Sequence, residues 1–262
     1  MAYSAIDVGA GAADYTYGTR TSTILDLTNP VNATGVLTSF ELWFTDWDTG
    51  GNGTDVVVGT FYGTSPSWTS RDSEALGTVT CYSKQTFTGK NCDATIGDII
   101  GEYNSGGNIG WEASGGSGTP YISGNQFGTG AKTYDVSLTT RRIALYATGV
   151  TVPDAPTSVS ATDNLTDKVT ITWTAGTGET DGHKVYRDGS VLNGDTAIVH
   201  GTNTFDDTTA VIGTTYAYTV KAINAAGLSA ASSADNGTRT AATSFIPRIM
   251  QHNFIPPFIG GS

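Results

Sequence analysis

Apolar side chains in this chain recur at every second residue, and no stretch sustains the helical rhythm of about 3.6 residues. Lys168-Val169-Thr170-Ile171-Thr172-Trp173 is the clearest case. Val169, Ile171 and Trp173 fall on one side of an extended backbone and the polar residues on the other, the signature of a half-buried strand. Leu37–Phe44 and Tyr216–Ala222 repeat it. Clusters of Thr, Ser, Asn and Gly break the rhythm at roughly ten-residue spacing, as turns between short strands do. Such a chain must form sheets and bury their faces against one another, so the fold class is all-β. The 34 glycines would suit a disordered chain, but charged residues make up only 14%, and 5 Trp, 9 Phe and 12 Tyr are enough for two cores.

Residues 152–241 read as one module. Pro153 and Pro156 make a stiff, extended approach. Thr157–Ala161 and Lys168–Trp173 are strands with a turn at Asp163-Asn164 between them. His183-Lys184-Val185-Tyr186-Arg187 is followed by Asp188-Gly189, a hairpin pair. Tyr216, Tyr218, Val220 and Ala222 share one face of a later strand, and Asn224-Ala225-Ala226-Gly227 turns the chain again. The proline pair, Ile171-Thr172-Trp173, Val185–Gly189, and Tyr216–Asn224 followed by Gly227 and Ser229 occur in the order that resembles the fibronectin type III family. The resemblance implies about seven strands in two antiparallel sheets and places Tyr216 where such sandwiches carry a tyrosine corner. The integrin-binding tripeptide of some members is absent, so cell adhesion is not implied.

Residues 1–151 carry further strand patterns at Thr23–Leu27, Leu37–Phe44, Val56–Tyr62, Ala75–Thr80, Gln85–Phe87, Ile99–Tyr103 and Ile143–Tyr146. They predict a sandwich of about eight strands, either a jelly roll or a second immunoglobulin-like sandwich. Gly59–Gly63, Ser70-Arg71-Asp72 and the run from Asp26 to Asn32-Ala33-Thr34-Gly35 resemble β-domains of tailed-phage proteins, a resemblance that implies no activity.

The formal net charge is −11, with a pI near 4.4. So acidic a surface repels phosphate backbones, which excludes nucleic acid as a partner, and it disfavours anionic membranes. Met1-Ala2-Tyr3-Ser4 has neither the basic nor the apolar segment of a signal peptide, and no stretch is long enough to span a bilayer. The expectation is a chain made in a cytoplasm, without membrane insertion. An extracellular-style module with a cytoplasmic origin suits a virion protein, made inside a host and working outside it. Cys81 and Cys92 are equally compatible with a hairpin disulfide and with two free thiols, and without clustered histidines they make no zinc site. Four Asn-x-Thr sequons, at Asn32, Asn52, Asn164 and Asn236, read as coincidence in a Thr-rich chain.

Two loops invite a ligand. Asp46, Asp48, Asn52 and Asp55 set oxygen ligands in a glycine-rich run that suits calcium. Against this, Val57 stands where an EF-hand needs its bidentate glutamate and Gly50 replaces a ligand, so the competing reading is a hairpin loop of solvated carboxylates. Gly106–Gly130 reads as a long loop holding Trp111, Tyr121 and Phe127. Their rings suit stacking on sugars, with Asn125, Asn108, Glu112 and Gln126 to bond hydroxyls; the competing reading is that these aromatics anchor the loop to the core. Trp47 and Trp68 pose the same choice. No nucleophile elbow, metalloprotease motif or phosphate loop occurs. His183, His200 and His252 have no evident nucleophile, and Asp72 with Glu74 reads as a solvated pair rather than a glycosidase pair. The reading is a non-enzyme with no cofactor.

Residues 242–262 change character. Phe245, Ile246, Pro247, Ile249, Met250, Phe254, Ile255, Phe258 and Ile259 form an apolar run in which Phe-Ile-Pro occurs twice. Its prolines exclude a regular helix and a central strand. Burial gain and ordering cost are of similar size, so such a tail orders only in an apolar groove. The chain's own sandwiches are one such groove; the preferred reading is another virion protein or a second copy. The functional expectation is therefore a structural protein of a phage virion surface, decorating capsid or tail, that docks through residues 245–259 and displays its sandwiches for host attachment, with a host-surface glycan as a further partner. The alternative is a secreted carbohydrate-binding module on a fibronectin type III spacer.

Overall fold

The computed structural model describes residues 5–15, 17–19, 21–45, 51–178 and 181–242. Every regular element among them is a strand. The first sandwich comprises β1 (Ala5–Gly9), β2 (Tyr17–Thr19), β3 (Ser22–Asp26), β4 (Gly35–Thr45), β5 (Gly53–Thr64), β6 (Ser67–Val79), β7 (Lys84–Ala94), β8 (Ile99–Tyr103), β9 (Asn108–Glu112), β10 (Tyr121–Ser123), β11 (Lys132–Thr133), β12 (Arg142–Ile143) and β13 (Leu145–Val150).

Eight of these strands make the framework. One sheet runs β1-β13-β4-β7 and the other β3-β8-β5-β6, every pair antiparallel. Except at the β5–β6 hairpin, the chain changes sheet with each successive framework strand. This is jelly-roll connectivity, and it decides between the two sandwiches the strand pattern allowed. The inner faces meet in one core. Val8, Phe40, Leu42, Phe44 and Leu145 come from the first sheet, and Ile24, Val58 and Ile100 from the second.

β4 and β5 belong to different sheets, so they are not the two arms of one hairpin, as the reading of Asp46–Asp55 as a hairpin loop required. The open edges of β6 and β7 meet through side chains. Asp72 Oδ2 accepts the Asp93 N–H at 2.9 Å, and Glu74 Oε1 accepts the Asn91 N–H at 2.9 Å. Asp72 and Glu74, expected to be simply solvated, bond the backbone instead and close the sandwich seam.

The outer face of the second sheet is also covered. Leu25, Phe61, Trp68, Ile99 and Tyr134 form a separate buried cluster under residues 120–134, joined by Phe127. With both faces occupied, β3 is buried over its last four residues, and its sequence does not alternate cleanly. Residues 104–144 form one excursion between β8 and β13 that carries β9 to β12.

The second sandwich comprises β14 (Thr157–Ala161), β15 (Val169–Thr174), β16 (Gly182–Arg187), β17 (Ser190–Val191), β18 (Ile198–Val199), β19 (Thr204–Asp207), β20 (Thr215–Asn224), β21 (Gly227–Leu228) and β22 (Asp235–Thr238). Its sheets run β14-β15-β19 and β17-β16-β20-β21, with β18 and β22 also paired to β16 and β20. Val169, Ile171 and Trp173 are buried as the alternation requires, against Val185, Tyr218 and Val220. Asp188 and Gly189 take positive φ values of 46° and 81°, the left-handed pair a tight hairpin needs. The tyrosine anchored by its hydroxyl is Tyr218, which donates to Asp207 at 2.9 Å; Tyr216, placed at a tyrosine corner by the resemblance, instead lies under the Arg187 guanidinium.

Candidate functional site

Gly106–Gly130 was expected to be loop, but it contains β9 and β10, and they decide which aromatics can meet a ligand. β9 pairs with β2 along one edge and, along the other, first with the end of β4 and then with β12, setting Trp111 opposite Ile143. β10 pairs with β3 and sets Tyr121 opposite Ile24. Trp111 and Tyr121 thus reach the same mouth of the sandwich from different sheets. With Ile24, Ile143, Thr119, Leu138 and Arg141 they line a half-open cavity of about 210 Å³. A second cavity of about 200 Å³ shares Leu138 and is bordered by Ser65, Ser117, Pro120 and Thr139.

The Arg141 guanidinium lies 3.6 Å above the Trp111 ring centre, covering that indole face. The Tyr121 hydroxyl donates to Asp135 Oδ2 at 3.1 Å. Asp135 also accepts the Ser137 N–H at 2.8 Å, and these bonds, Ser137 first, hold its carboxyl below the usual range. Behind the cavity, Asp26 accepts the N–H groups of Thr28 at 2.8 Å and Ile143 at 3.2 Å. Burial outweighs those bonds and raises Asp26 to about 6. Arg142, beside Arg141, is paired with Glu112 through an Nε–Oε2 bond of 3.0 Å.

The expected glycan residues divide. Trp111 and Tyr121 come together. Phe127 does not join them: it packs 4.9 Å from Phe61 in the outer cluster and anchors the excursion. Asn125 accepts the Phe127 N–H at 2.9 Å, shaping a local turn. Trp68 is buried in the same cluster, and Trp47 lies outside the described residues. Arg141, Thr119 and Leu138 went unmarked in the sequence; the one local signal was the Arg141-Arg142 pair in a chain so poor in cations.

Of the calcium candidates, Asp46 and Asp48 lie outside the described residues. Asn52 Oδ1 accepts the Cys81 N–H at 3.1 Å, and Asp55 Oδ2 accepts the Ser105 hydroxyl at 2.5 Å, so both are engaged in structural bonds. Cys81 and Cys92 are free thiols, and burial pushes Cys92 up to about 12. The apolar run from Phe245 to Ile259 also lies outside the described residues.

Comparison with known proteins addresses the second sandwich. The family model described as fibronectin type III domain matches residues 154–236. These residues form a fibronectin type III domain. A solved Fn3-like protein from Clostridium thermocellum is 23% identical to this chain, over 35% of this chain and 98% of that one, with a TM-score of 0.29. A solved beta-1,2-glucanase from Parabacteroides distasonis is 12% identical, with a TM-score of 0.28; the likeness covers 86% of this chain but only 30% of that one. No curated protein matches.

Two buried polar features mark the fibronectin type III domain. Asp207 bonds Tyr218, Arg187 Nη1 at 2.8 Å and the Thr209 N–H at 2.9 Å. Burial alone would raise its carboxyl, but these bonds overcome that and hold it low. His183 is fully buried 5.2 Å from the Trp173 ring, and neither imidazole nitrogen has a hydrogen-bond partner. Burial, followed by repulsion from His200, lowers its pKa.

Proposed function

We propose that this chain is a non-enzymatic recognition and display protein. The jelly roll binds a saccharide in the Trp111–Tyr121 cleft, the fibronectin type III domain acts as spacer, and residues 245–259 dock the chain onto a particle. The observation that carries the recognition role is the meeting of Trp111, Tyr121 and Arg141 at one mouth of the sandwich, from positions set by separate strand pairings. Apolar walls from Ile24, Ile143 and Leu138 suit the C–H faces of a sugar, and Thr119 and Tyr121 offer hydroxyls. Each cavity alone is small against the usual range of about 300–1,000 Å³ for a ligand site; Leu138 lines both, which places them side by side along one face. Jelly rolls serve both capsid and lectin proteins, so the fold does not choose between a virion setting and a secreted one. The apolar, twice-repeated Phe-Ile-Pro tail favours the virion setting.

A glycan array probed with the full chain, followed by calorimetry on each hit, tests the recognition role. Binding should be lost in Tyr121→Ala and in Trp111→Ala, and both should also lower stability, because both rings are partly buried and pack on the core; Tyr121→Phe, which keeps the packing, separates the two effects. Failure to bind any saccharide would refute the reading.

A further inference from the structure

The cleft holds a cation with no counterpart. Among the described residues every other arginine is hydrogen-bonded. Arg71 pairs with Asp98, Arg142 with Glu112 and Arg187 with Asp207, while Arg239 donates to the Thr166 carbonyl. Among the described residues the Arg141 side chain has no hydrogen bond or ion pair, although the chain has 24 acidic side chains against 13 basic ones. Its Cζ instead lies over the Trp111 ring, 3.6 Å from the ring centre, in the range of a stacked guanidinium, and it lines the cavity. Stacking covers one face of the guanidinium and leaves its in-plane N–H groups available. That plane is the one in which a guanidinium grips a carboxylate through two parallel bonds. Neighbouring acids do not supply one: Glu112 is held by Arg142, Asp135 by Ser137 and Tyr121, and Asp26 is buried and bonded to the backbone.

We infer that the cleft selects an acidic saccharide, with Arg141 binding the carboxylate of a uronic-acid-type sugar while Tyr121 and Thr119 meet its hydroxyls. The inference rests on the saccharide reading of this cleft and narrows it. It also gives the covered indole a role. Trp111 is the plate that fixes the guanidinium before the ligand arrives, so less conformational freedom is lost on binding.

The experiment is calorimetry of the full chain with three probes: an oligouronate, the same oligosaccharide with its carboxylates methyl-esterified, and a sulfated neutral oligosaccharide. The expected result is oligouronate binding about tenfold or more tighter than its ester, the range of a charge-assisted bond. Arg141→Gln should abolish that preference. Arg141→Lys should keep only part of it, because an ammonium lacks the planar fork. Unchanged melting of both variants would show that the fold is intact. Equal binding of acid and ester, or a preference that survives Arg141→Gln, overturns the inference while leaving a saccharide site in place. Tighter binding of the sulfated probe overturns the choice of carboxylate. No binding of any probe refutes the saccharide reading itself.

Discussion

Glu102 sits on β8 opposite Ile24 and Val58, fully enclosed by the jelly-roll core. Asn104 Nδ2 donates to its Oε1 at 2.9 Å, but Glu102 Oε2 and Asn104 Oδ1 have no partner. A proton on Oε2 turns that unpartnered acceptor into a donor beside the amide. Burial raises the carboxyl to about 8, against the opposing hydrogen bond from Asn104. An unfolded chain ionises this group near 4.5, so its stabilising contribution is complete below that pH and is lost as pH rises through about 8. Asp26 acts in the same direction over a lower window, from 3.8 to about 6. Thermal unfolding followed from pH 5 to 9 should show the wild type losing stability, whereas Glu102→Gln, which mimics the protonated acid, should show a flatter profile above pH 6. His183 has the opposite sign. Its folded pKa lies below the ordinary 6.5, so its contribution is present above that value and lost as pH falls. Trp173 fluorescence should report acid unfolding of the fibronectin type III domain on going from pH 7 to 5, and His183→Phe should reduce that loss. An unchanged acid limb in His183→Phe would remove this histidine as the cause.

The paired strands of the second sheet depend on a slot that only glycine can leave. Gly59 and Gly101 face each other across β5 and β8. A Cβ on Gly101 would lie 2.6 Å from Leu25 Cδ2 and 2.8 Å from Phe61 Cε2, and one on Gly59 would lie 2.9 Å from Phe127. The slot seats the Phe61–Phe127 pair that holds the excursion down. Gly101→Ala should therefore cost about 1–3 kcal/mol in urea denaturation, the range for overpacking. Gly130→Ala, which points into open space, should stay within about 0.5 kcal/mol. The strand at Val56–Tyr62 was legible because its apolar residues dominate; its extension to Thr64 and the whole of β9 were not. β9 is glycine-broken and only five residues long, so its strand character comes from pairing with β4 and β12, which no local window contains.

As a whole molecule, the chain combines two sandwiches, each with its own buried cluster, and an apolar run at residues 245–259. Deleting residues 244–262 should leave both melting transitions in place and abolish incorporation into particles; normal incorporation of the truncated chain would end the docking role. Period-two burial, the Asp188-Gly189 turn and the type III module were all readable from neighbouring residues, because strand facing and turn geometry are properties of short segments. The jelly-roll order, the seam at Asp72 and Glu74, the exile of Phe127 from the cleft and the uncoupled guanidinium of Arg141 were not. Each depends on which distant strands pair and in what register, and that is settled by the simultaneous burial of many side chains.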